Sequence, residues 1–324
     1  MQTRPRVHVV SHGPGCLDGL VSAVVLARSL ETVELTFDFP APRDIDFTLR
    51  NFSPRQPQNS ELWVTDISWS APETNEHLAS LVDQGLSLFW MDHHKSALDR
   101  IKRDGMGVEP TEYVLDMERA GCRIVWDFLA ARTRPGSEAA EELAELRPLV
   151  MLADDVDRWI LEVSGSRDIA LAISAMQQDQ AFDALMEIDA DLRWTRSVKS
   201  AMARVRKEIA LSVELAESTQ IVSDDANADV LVVAAECIGY SGEVAERWKA
   251  QFPRTVFALL DRRAQAVSLR RSTDCPVDLS ELAASFGGGG HAAAAGFDLA
   301  QELRNPSAIA RAVTNQLNKE GEHA

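Results

Sequence analysis

The sequence predicts an α/β protein with a parallel sheet in its first part and a smaller mixed α/β domain in its second, joined by a helical linker. Short apolar strand-like segments alternate with helical patterns over the first half, which is typical of parallel sheets. The chain has 324 residues, more than one hydrophobic core usually contains. We therefore expect a first domain over 1–194, a linker over 195–222 and a second domain over 223–324.

The first domain is predicted to contain four strands, each followed by a helix. The strands are expected near residues 6–12, 33–38, 61–66 and 86–91. Further helices are expected at "RAGCRIVWDFLAART" and "SEAAEELAELRPLVMLADD", and the second of these has acidic residues in its first turns, which favour a helix N-terminus. The charged stretch "TRSVKSAMARVRKEIALSVELAES" predicts the linker helix.

The second domain contains a glycine run that indicates an anion site. Strands are expected at "DVLVVAAE", "TVFALLD" and "AQAVSLR", followed by Gly287–Gly290, His291 and an alanine run that we expect to form a helix of small residues. Glycine has no Cβ, so backbone N–H groups can approach a phosphate closely, and His291 would add a directed donor. Strand alternation places Arg270 and Arg271 on opposite faces, so one of them can point toward this loop.

Polar side chains follow three of the predicted strands in the first domain. His12 follows the first, Asp66 the third, and the triplet Asp92-His93-His94 the fourth. Carboxyl ends of parallel strands lie at the same edge of a sheet, where ligands bind. Asp18 opens the first helix and is either its cap or a further member of this cluster.

Three aspartates also end a predicted helix, in "LVMLADDVDRWI". Asp154, Asp155 and Asp157 oppose the negative end of the helix dipole, and a nearby cation would remove that penalty. Carboxylates and imidazoles suit hard or borderline ions such as Mn²⁺. A carboxylate that bridges two ions would give a two-metal site, which suits phosphoester hydrolysis.

Two motifs resemble those of the DHH/DHHA1 phosphoesterases, a superfamily that includes RecJ-type exonucleases and nanoRNases. They are "MDHH" at 91–94 and "VSLRRS…VDLSELAASFGGGGHAAAAGF" at 267–297. The resemblance covers essentially the whole chain. It implies a DHH domain with two Mn²⁺ ions, with Mg²⁺ or another divalent metal as the alternative, and a DHHA1 domain that holds the substrate. It further implies hydrolysis by two-metal attack of hydroxide.

The resemblance also implies roles for individual residues. His12 would bind the first metal, Asp18 and His93 the second, and Asp66 would bridge them. Asp155 would complete the second site, with Asp154 and Asp157 as alternatives. Asp92 would orient neighbouring groups, and His94 would face the scissile phosphate as a donor or general acid. The residues implied in phosphate or terminal-nucleotide binding are Arg270, Gly288, Gly289, Gly290 and His291.

One position departs from the family pattern. The family's first motif is His-x-Asp-x-Asp-Gly, whereas "HGPGCLDG" has two extra residues and carries Cys16 where the first aspartate belongs. Cys16 is therefore either a softer ligand of the first metal or a small buried residue outside the metal site.

Composition bears on the substrate and the compartment. A net charge of −17 and a pI near 4.8 disfavour long nucleic acids, because phosphate contacts dominate their binding. We therefore predict a metal-dependent phosphodiesterase that hydrolyses short oligonucleotides or linear dinucleotides to nucleoside monophosphates. The alternatives are a RecJ-like single-strand exonuclease, a 3′-phosphonucleotide phosphatase, or a nucleotide-binding regulator with a degraded metal site.

The four cysteines have no CxxC spacing, and no signal segment or transmembrane stretch is evident. We expect a reduced, cytoplasmic protein with no membrane partner, and the sequence leaves a homodimer open.

Overall fold

The computed structural model describes residues 4–223, 229–299 and 303–321. The chain divides into two compact units, Met1–Ala203 and Arg204–Ala324, and the division falls inside the segment predicted as the linker. The predicted fold class is confirmed, because the first unit has a parallel sheet and the second a separate mixed sheet. Among the helices of these described ranges, none is long and apolar enough to cross a membrane.

The first unit contains a five-stranded sheet in the order β2-β1-β3-β4-β5, in which all neighbours are parallel. Its strands are β1 (Arg6–Ser11), β2 (Glu34–Asp38), β3 (Ser60–Thr65), β4 (Ser87–Asp92) and β5 (Glu112–Leu115). Its helices are α1 (Leu17–Ser29), α2 (Ile45–Asn51), α3 (Pro72–Asp83), α4 (Lys95–Asp104), α5 (Gly121–Ala130), α6 (Glu138–Asp157), α7 (Ser166–Ser174) and α8 (Gln178–Met186). Helix α9 (Arg196–Thr219) crosses the boundary between the units.

The register of this sheet positions the polar residues that follow its strands. Ser11 pairs with Thr65, and Thr65 pairs with Met91, so β1, β3 and β4 end at the same level. The chain continues the ladder for one more residue, because the His12 amide donates to Thr65 and the Asp66 amide donates to Met91. Apolar side chains cover both faces of the sheet, with α1, α5 and α6 contributing to one core and α2 to α4 to the other. This packing fixes the strand ends.

Strand β5 was not predicted. It has four residues, lies at the sheet edge, and its side chains are exposed or half-buried. Such a strand lacks the apolar run that identifies a buried strand in a sequence.

The second unit has a six-stranded sheet in the order β10-β11-β9-β8-β7-β6, in which only β7 and β8 are parallel. The strands are β6 (Ile221–Val222), β7 (Leu231–Cys237), β8 (Thr255–Asp261), β9 (Ala266–Arg271), β10 (Gly289–His291) and β11 (Ala294–Asp298). The helices are α10 (Ser241–Trp248), α11 (Leu279–Ala284) and α12 (Pro306–Gly321).

The expectation of a helix after the glycine run was wrong. The alanine run instead forms the hairpin β10–β11, and β11 pairs with β9 through Ala294–Arg270 and Phe297–Val267. Ala295 and Phe297 alternate into the core. Pairing and burial in the sheet therefore override the intrinsic preference of alanine for helices.

Candidate functional site

Asp66 lies at the centre of a polar cluster beyond the ends of β1, β3 and β4. Its backbone adopts a left-handed conformation with φ of 55°, and the residue is 1% exposed. Its Oδ1 atom is 3.1 Å from Nε2 of His93, and its Oδ2 atom is 3.4 Å from Nδ1 of His12. The two carboxylate oxygens thus face two different histidines.

Among the described residues, two groups of side chains are spaced as metal ligands would be. One contains His12, Asp66 and His94, and the other contains Asp18, Asp66 and His93. Within each group the candidate ligand atoms lie within 4.8 Å of one another. Asp66 belongs to both groups, which is the geometry that a bridging carboxylate requires.

Asp18 is held by the N-terminus of α5, a feature that the sequence did not indicate. Its two carboxylate oxygens accept hydrogen bonds of 2.7 Å from the backbone amides of Gly121 and Cys122. Gly121 also lies against Asp66, because a Cβ atom at this position would be 2.7 Å from Cβ of Asp66. The small residues Ala120 and Gly121 at the start of this apolar helix allow the close approach, but they do not by themselves predict it.

Of the three aspartates at the end of α6, the structure brings Asp157 to the cluster. Its Oδ2 atom is 3.5 Å from Nε2 of His93. Asp155, the predicted ligand, instead accepts hydrogen bonds from the amides of Glu162 and Val163 and from the Ser166 hydroxyl, at 2.8, 3.1 and 2.6 Å. Asp154 accepts from the Ala120 amide. The carboxylates of Asp154 and Asp155 are therefore used to hold the backbone.

The cluster carries an excess of buried negative charge. Burial, followed by the charges of Asp66 and Asp157, raises the pKa of Asp18 well above its ordinary value. Burial and then the charge of Asp66 likewise raise the pKa of Asp157. Burial opposes ionisation of Asp66 too, but hydrogen bonds from His12 and His93 outweigh it and lower the pKa of Asp66. This donor set fits divalent cations, whose charge would relieve the repulsion.

The same carboxylates change the pKa of His93. Burial alone would lower the pKa of His93, but the hydrogen bond to Asp66 and the charges of Asp18, Asp66 and Asp157 raise it to about 9. At neutral pH without metal, the imidazolium of His93 therefore partly compensates these carboxylates.

Asp92 belongs to neither ligand group and orients His94 through a hydrogen bond. Its buried carboxylate accepts a 2.7 Å hydrogen bond from Nδ1 of His94, a 2.8 Å hydrogen bond from the His93 amide and another from the Ser68 hydroxyl. The contact with Asp92 raises the pKa of His94 and leaves its Nε2 atom free of this carboxylate. Ser68 was not predicted, and nothing in its sequence context indicates this contact.

Cys16 contacts the cluster without joining either ligand group defined among the described residues. Its Sγ atom donates to Oδ2 of Asp66 at 3.4 Å. Burial, followed by the charges of Asp66 and Asp18, raises the pKa of the Cys16 thiol well above its ordinary value. Without metal, Cys16 is therefore a neutral hydrogen-bond donor to Asp66.

In the second unit, Arg270 and His291 lie in one row across the sheet. Arg270 of β9 pairs with Ala294 of β11, and Ala294 pairs with His291 of β10. Directly paired residues in antiparallel strands point to the same face, so the Arg270 guanidinium and the His291 imidazole can serve one ligand. Arg271 points to the other face, where its guanidinium donates to the carbonyls of Cys275 and Val277.

The glycines of the loop serve different purposes. A Cβ atom at Gly288 would be 2.1 Å from the carbonyl oxygen of Gly296, so Gly288 permits close packing of the loop on β11. Gly290 combines a φ of 142° with a similar close approach to Ala295. At Gly289 a Cβ atom would meet nothing within 4 Å, which leaves the exposed backbone open to a ligand.

The first unit is thus a parallel-sheet domain with an Asp- and His-rich cluster at its strand ends, and the second is a mixed-sheet domain with a glycine loop. Residues 231–319 match the family model of the DHHA1 domain, so the chain carries a DHHA1 domain. The resemblance that the two sequence motifs indicated is confirmed.

Two solved structures align with almost the whole chain. A pGpG-specific phosphodiesterase from Vibrio cholerae is 16% identical, with 98% of this chain and 99% of that chain covered and a TM-score of 0.59, which shows a shared fold. An exopolyphosphatase-related protein from Bacteroides fragilis is also 16% identical, with 98% and 93% coverage and a TM-score of 0.49. No curated protein matches the sequence.

Proposed function

We propose that this protein is a metal-dependent phosphodiesterase that cleaves short oligonucleotides or linear dinucleotides into nucleoside monophosphates. The observation that carries the proposal is the position of Asp66, which belongs to two ligand groups while the carboxylates of buried Asp18 and partly exposed Asp157 repel it and each other. A purely structural cluster would gain nothing from this repulsion, whereas two bound cations would relieve it.

In this proposal, His12 and Asp66 would hold the first ion, and Asp18, Asp66 and His93 would hold the second. His94, the third member of the first group, is assigned to the substrate instead because its Nδ1 atom is hydrogen-bonded to Asp92. Asp157 takes the place that the sequence suggested for Asp155, because the carboxylate of Asp155 already accepts three hydrogen bonds. Two divalent ions would polarise the phosphoryl oxygens and lower the pKa of an attacking water. Mn²⁺ is the expected metal because the donors are carboxylates and imidazoles.

Residues of the chain would bind the substrate and donate a proton to the leaving group. The Nδ1 atom of His94 is hydrogen-bonded to Asp92, so its Nε2 atom is available to protonate the leaving oxygen. Arg270, His291 and the exposed backbone at Gly289 would bind a phosphate of the substrate.

The fold-related Vibrio cholerae enzyme is specific for the linear dinucleotide pGpG, which supports the choice of substrate class. The net charge of −17 also favours short substrates over long nucleic acids.

The test is chromatographic analysis of products after incubation of the purified protein with a 5′-phosphorylated diribonucleotide and Mn²⁺. We expect mononucleotides from the wild type and none from a His93→Ala variant. A His77→Ala variant is the matched control, since His77 contacts the carbonyl of Phe52 and no cluster residue. Absence of product in the wild type, with folding verified, would contradict the proposal.

Cys16 favours a second candidate, a nucleotide-binding regulator without turnover. Its neutral thiol stands where the family places a carboxylate, which removes one hard ligand from the first metal. The same experiment separates the two, because a regulator would bind the diribonucleotide and leave it intact.

A further inference from the structure

An exposed tryptophan follows directly on the helix that delivers Asp157 to the cluster. Trp159 is 55% exposed, and the next two residues, Ile160 and Leu161, are 41% and 37% exposed. Trp69, by contrast, is 1% exposed and packs on Trp90 in the core. Large apolar side chains are seldom displayed together on a surface unless something binds them.

The backbone of this segment is strained. Trp159 has a φ of 56° and Leu161 a φ of 60°, both in the left-handed region that bulky residues rarely adopt. Such a conformation is unfavourable and persists only where the surroundings enforce it. Strain of this kind is concentrated at functional sites.

Asp155 is the residue that enforces this conformation. Its buried carboxylate accepts hydrogen bonds from the amides of Glu162 and Val163 and from the Ser166 hydroxyl. Its backbone carbonyl accepts a 2.8 Å hydrogen bond from the Ile160 amide. Asp155 therefore holds the backbone on both sides of Leu161, in a turn that leaves the Trp159 side chain exposed.

The surroundings of Trp159 suit a planar ligand. The guanidinium of Arg167 lies 4.8 Å from the centre of the Trp159 ring and makes a cation–π contact with the indole. Arg158 and Glu162, which flank the apolar segment, are exposed and charged. An apolar patch this short, with charges at both ends, is smaller than a protein partner would need.

We propose that Trp159 is a stacking platform for a nucleobase of the substrate. The inference rests on the proposed function and deepens it, because it requires a substrate that carries a base beside the phosphate. Trp159 is two residues beyond Asp157 in the chain, and the Oδ2 atom of Asp157 is 3.5 Å from Nε2 of His93, so the platform follows a residue of the cluster closely in sequence. Stacking tolerates any base, so Trp159 would contribute affinity without selecting among bases.

Binding of a diribonucleotide with a non-hydrolysable methylenephosphonate linkage, measured by calorimetry with Mn²⁺ present, tests the platform independently of turnover. We expect Trp159→Ala to weaken this binding by about tenfold, as loss of one stacked base does, and Trp159→Phe to retain most of the affinity. An analogue that lacks both bases should bind the wild type and Trp159→Ala equally. Phe47→Ala removes another exposed aromatic ring and should change neither affinity.

An equal loss for the base-free analogue would overturn the proposal, since it would indicate a general disturbance of the site. Unchanged binding by Trp159→Ala, or no binding by the wild type, would also overturn it. Failure of hydrolysis with retained, Trp159-dependent binding would instead contradict the proposed activity alone.

Discussion

The Nε2 atom of His93 lies 3.1 Å from Oδ1 of Asp66, and this contact lies within the second candidate metal site, which shares Asp66 with the first. The same nitrogen is 3.6 Å from Asp18 and 3.5 Å from Asp157, so a single imidazole faces three carboxylates. A proton on His93 and a metal ion would compete for this position, because a metal ligand must be neutral.

Metal affinity should therefore depend on pH. The pKa of His93 is raised to about 9, so the residue is protonated at neutral pH in the metal-free protein and must lose this proton when Mn²⁺ binds. We expect Mn²⁺ affinity to increase as pH rises through the neutral range toward about 9, by up to about tenfold per pH unit. Calorimetry in two buffers with different ionisation enthalpies would detect the released proton.

The same shift has a consequence for stability without metal. Because the pKa of His93 is raised in the folded state, the His93–Asp66 contact stabilises the fold fully below pH 6.5 and is lost as pH rises through about 9. Chelator-treated wild type should lose more stability over this range than His93→Gln. A pH-independent Mn²⁺ affinity would contradict both expectations.

Asp155 and Asp157 should respond to substitution in opposite ways. Asp157→Asn should weaken Mn²⁺ binding with little effect on stability, because its carboxylate faces His93 and is partly exposed. Asp155→Asn should lower the free energy of unfolding by about 2 kcal/mol, because an amide cannot accept all three hydrogen bonds that the buried Asp155 carboxylate accepts. Denaturant unfolding and metal titration of both variants would test this, and a larger loss of metal binding in Asp155→Asn would reverse the assignment.

Gly121→Ala should disturb the cluster, because Gly121 packs closely against Asp66 and Asp18. A methyl group there would be 2.7 Å from Cβ of Asp66 and 3.2 Å from Oδ2 of Asp18, so one of these residues must move. We expect a loss of about 1–3 kcal/mol in stability together with weaker metal binding. Gly289→Ala is the matched control for stability, since a Cβ atom there meets no neighbour. A fully stable Gly121→Ala protein with normal metal affinity would refute this packing argument.

Cys16→Asp should strengthen the first metal site. The new carboxylate would add a hard ligand beside Asp66, and Mn²⁺ affinity should increase by about tenfold or more, since ligand charge governs the binding of such ions. The metal-free variant should be less stable than the wild type because a further negative charge enters the pocket. Cys16→Ser keeps a neutral donor and should change neither property. Unchanged metal titration in Cys16→Asp would place this residue outside the metal site.

Much of the fold followed from simple patterns in the sequence. Strands β1, β3 and β4 are buried apolar runs, and their common register brings His12, Asp66 and Asp92 to one edge, as parallel strands require. The hairpin of β10 and β11 could not be predicted, because its alanines favour a helix until β9 supplies hydrogen-bond partners. The sequence of the alanine run alone gives no indication that it will pair with β9.

The candidate site was harder to predict than the fold. Asp154, Asp155 and Asp157 lie within one helical turn, and their directions depend on what the following loop needs. The carboxylate of Asp155 accepts hydrogen bonds from the amides of Glu162 and Val163, and a motif comparison cannot reveal these contacts. The amides of Gly121 and Cys122 that hold Asp18 come from more than 100 residues away in the chain and contribute backbone atoms, which leave no side-chain signature.

The most direct test of the central claim, that Asp66 bridges two divalent ions, is the Mn²⁺ stoichiometry of the purified protein by equilibrium dialysis. The wild type should bind two ions per chain, and Asp66→Asn should lose both, because the two ligand groups share this carboxylate. A single ion in the wild type, or two ions retained by Asp66→Asn, would contradict the claim.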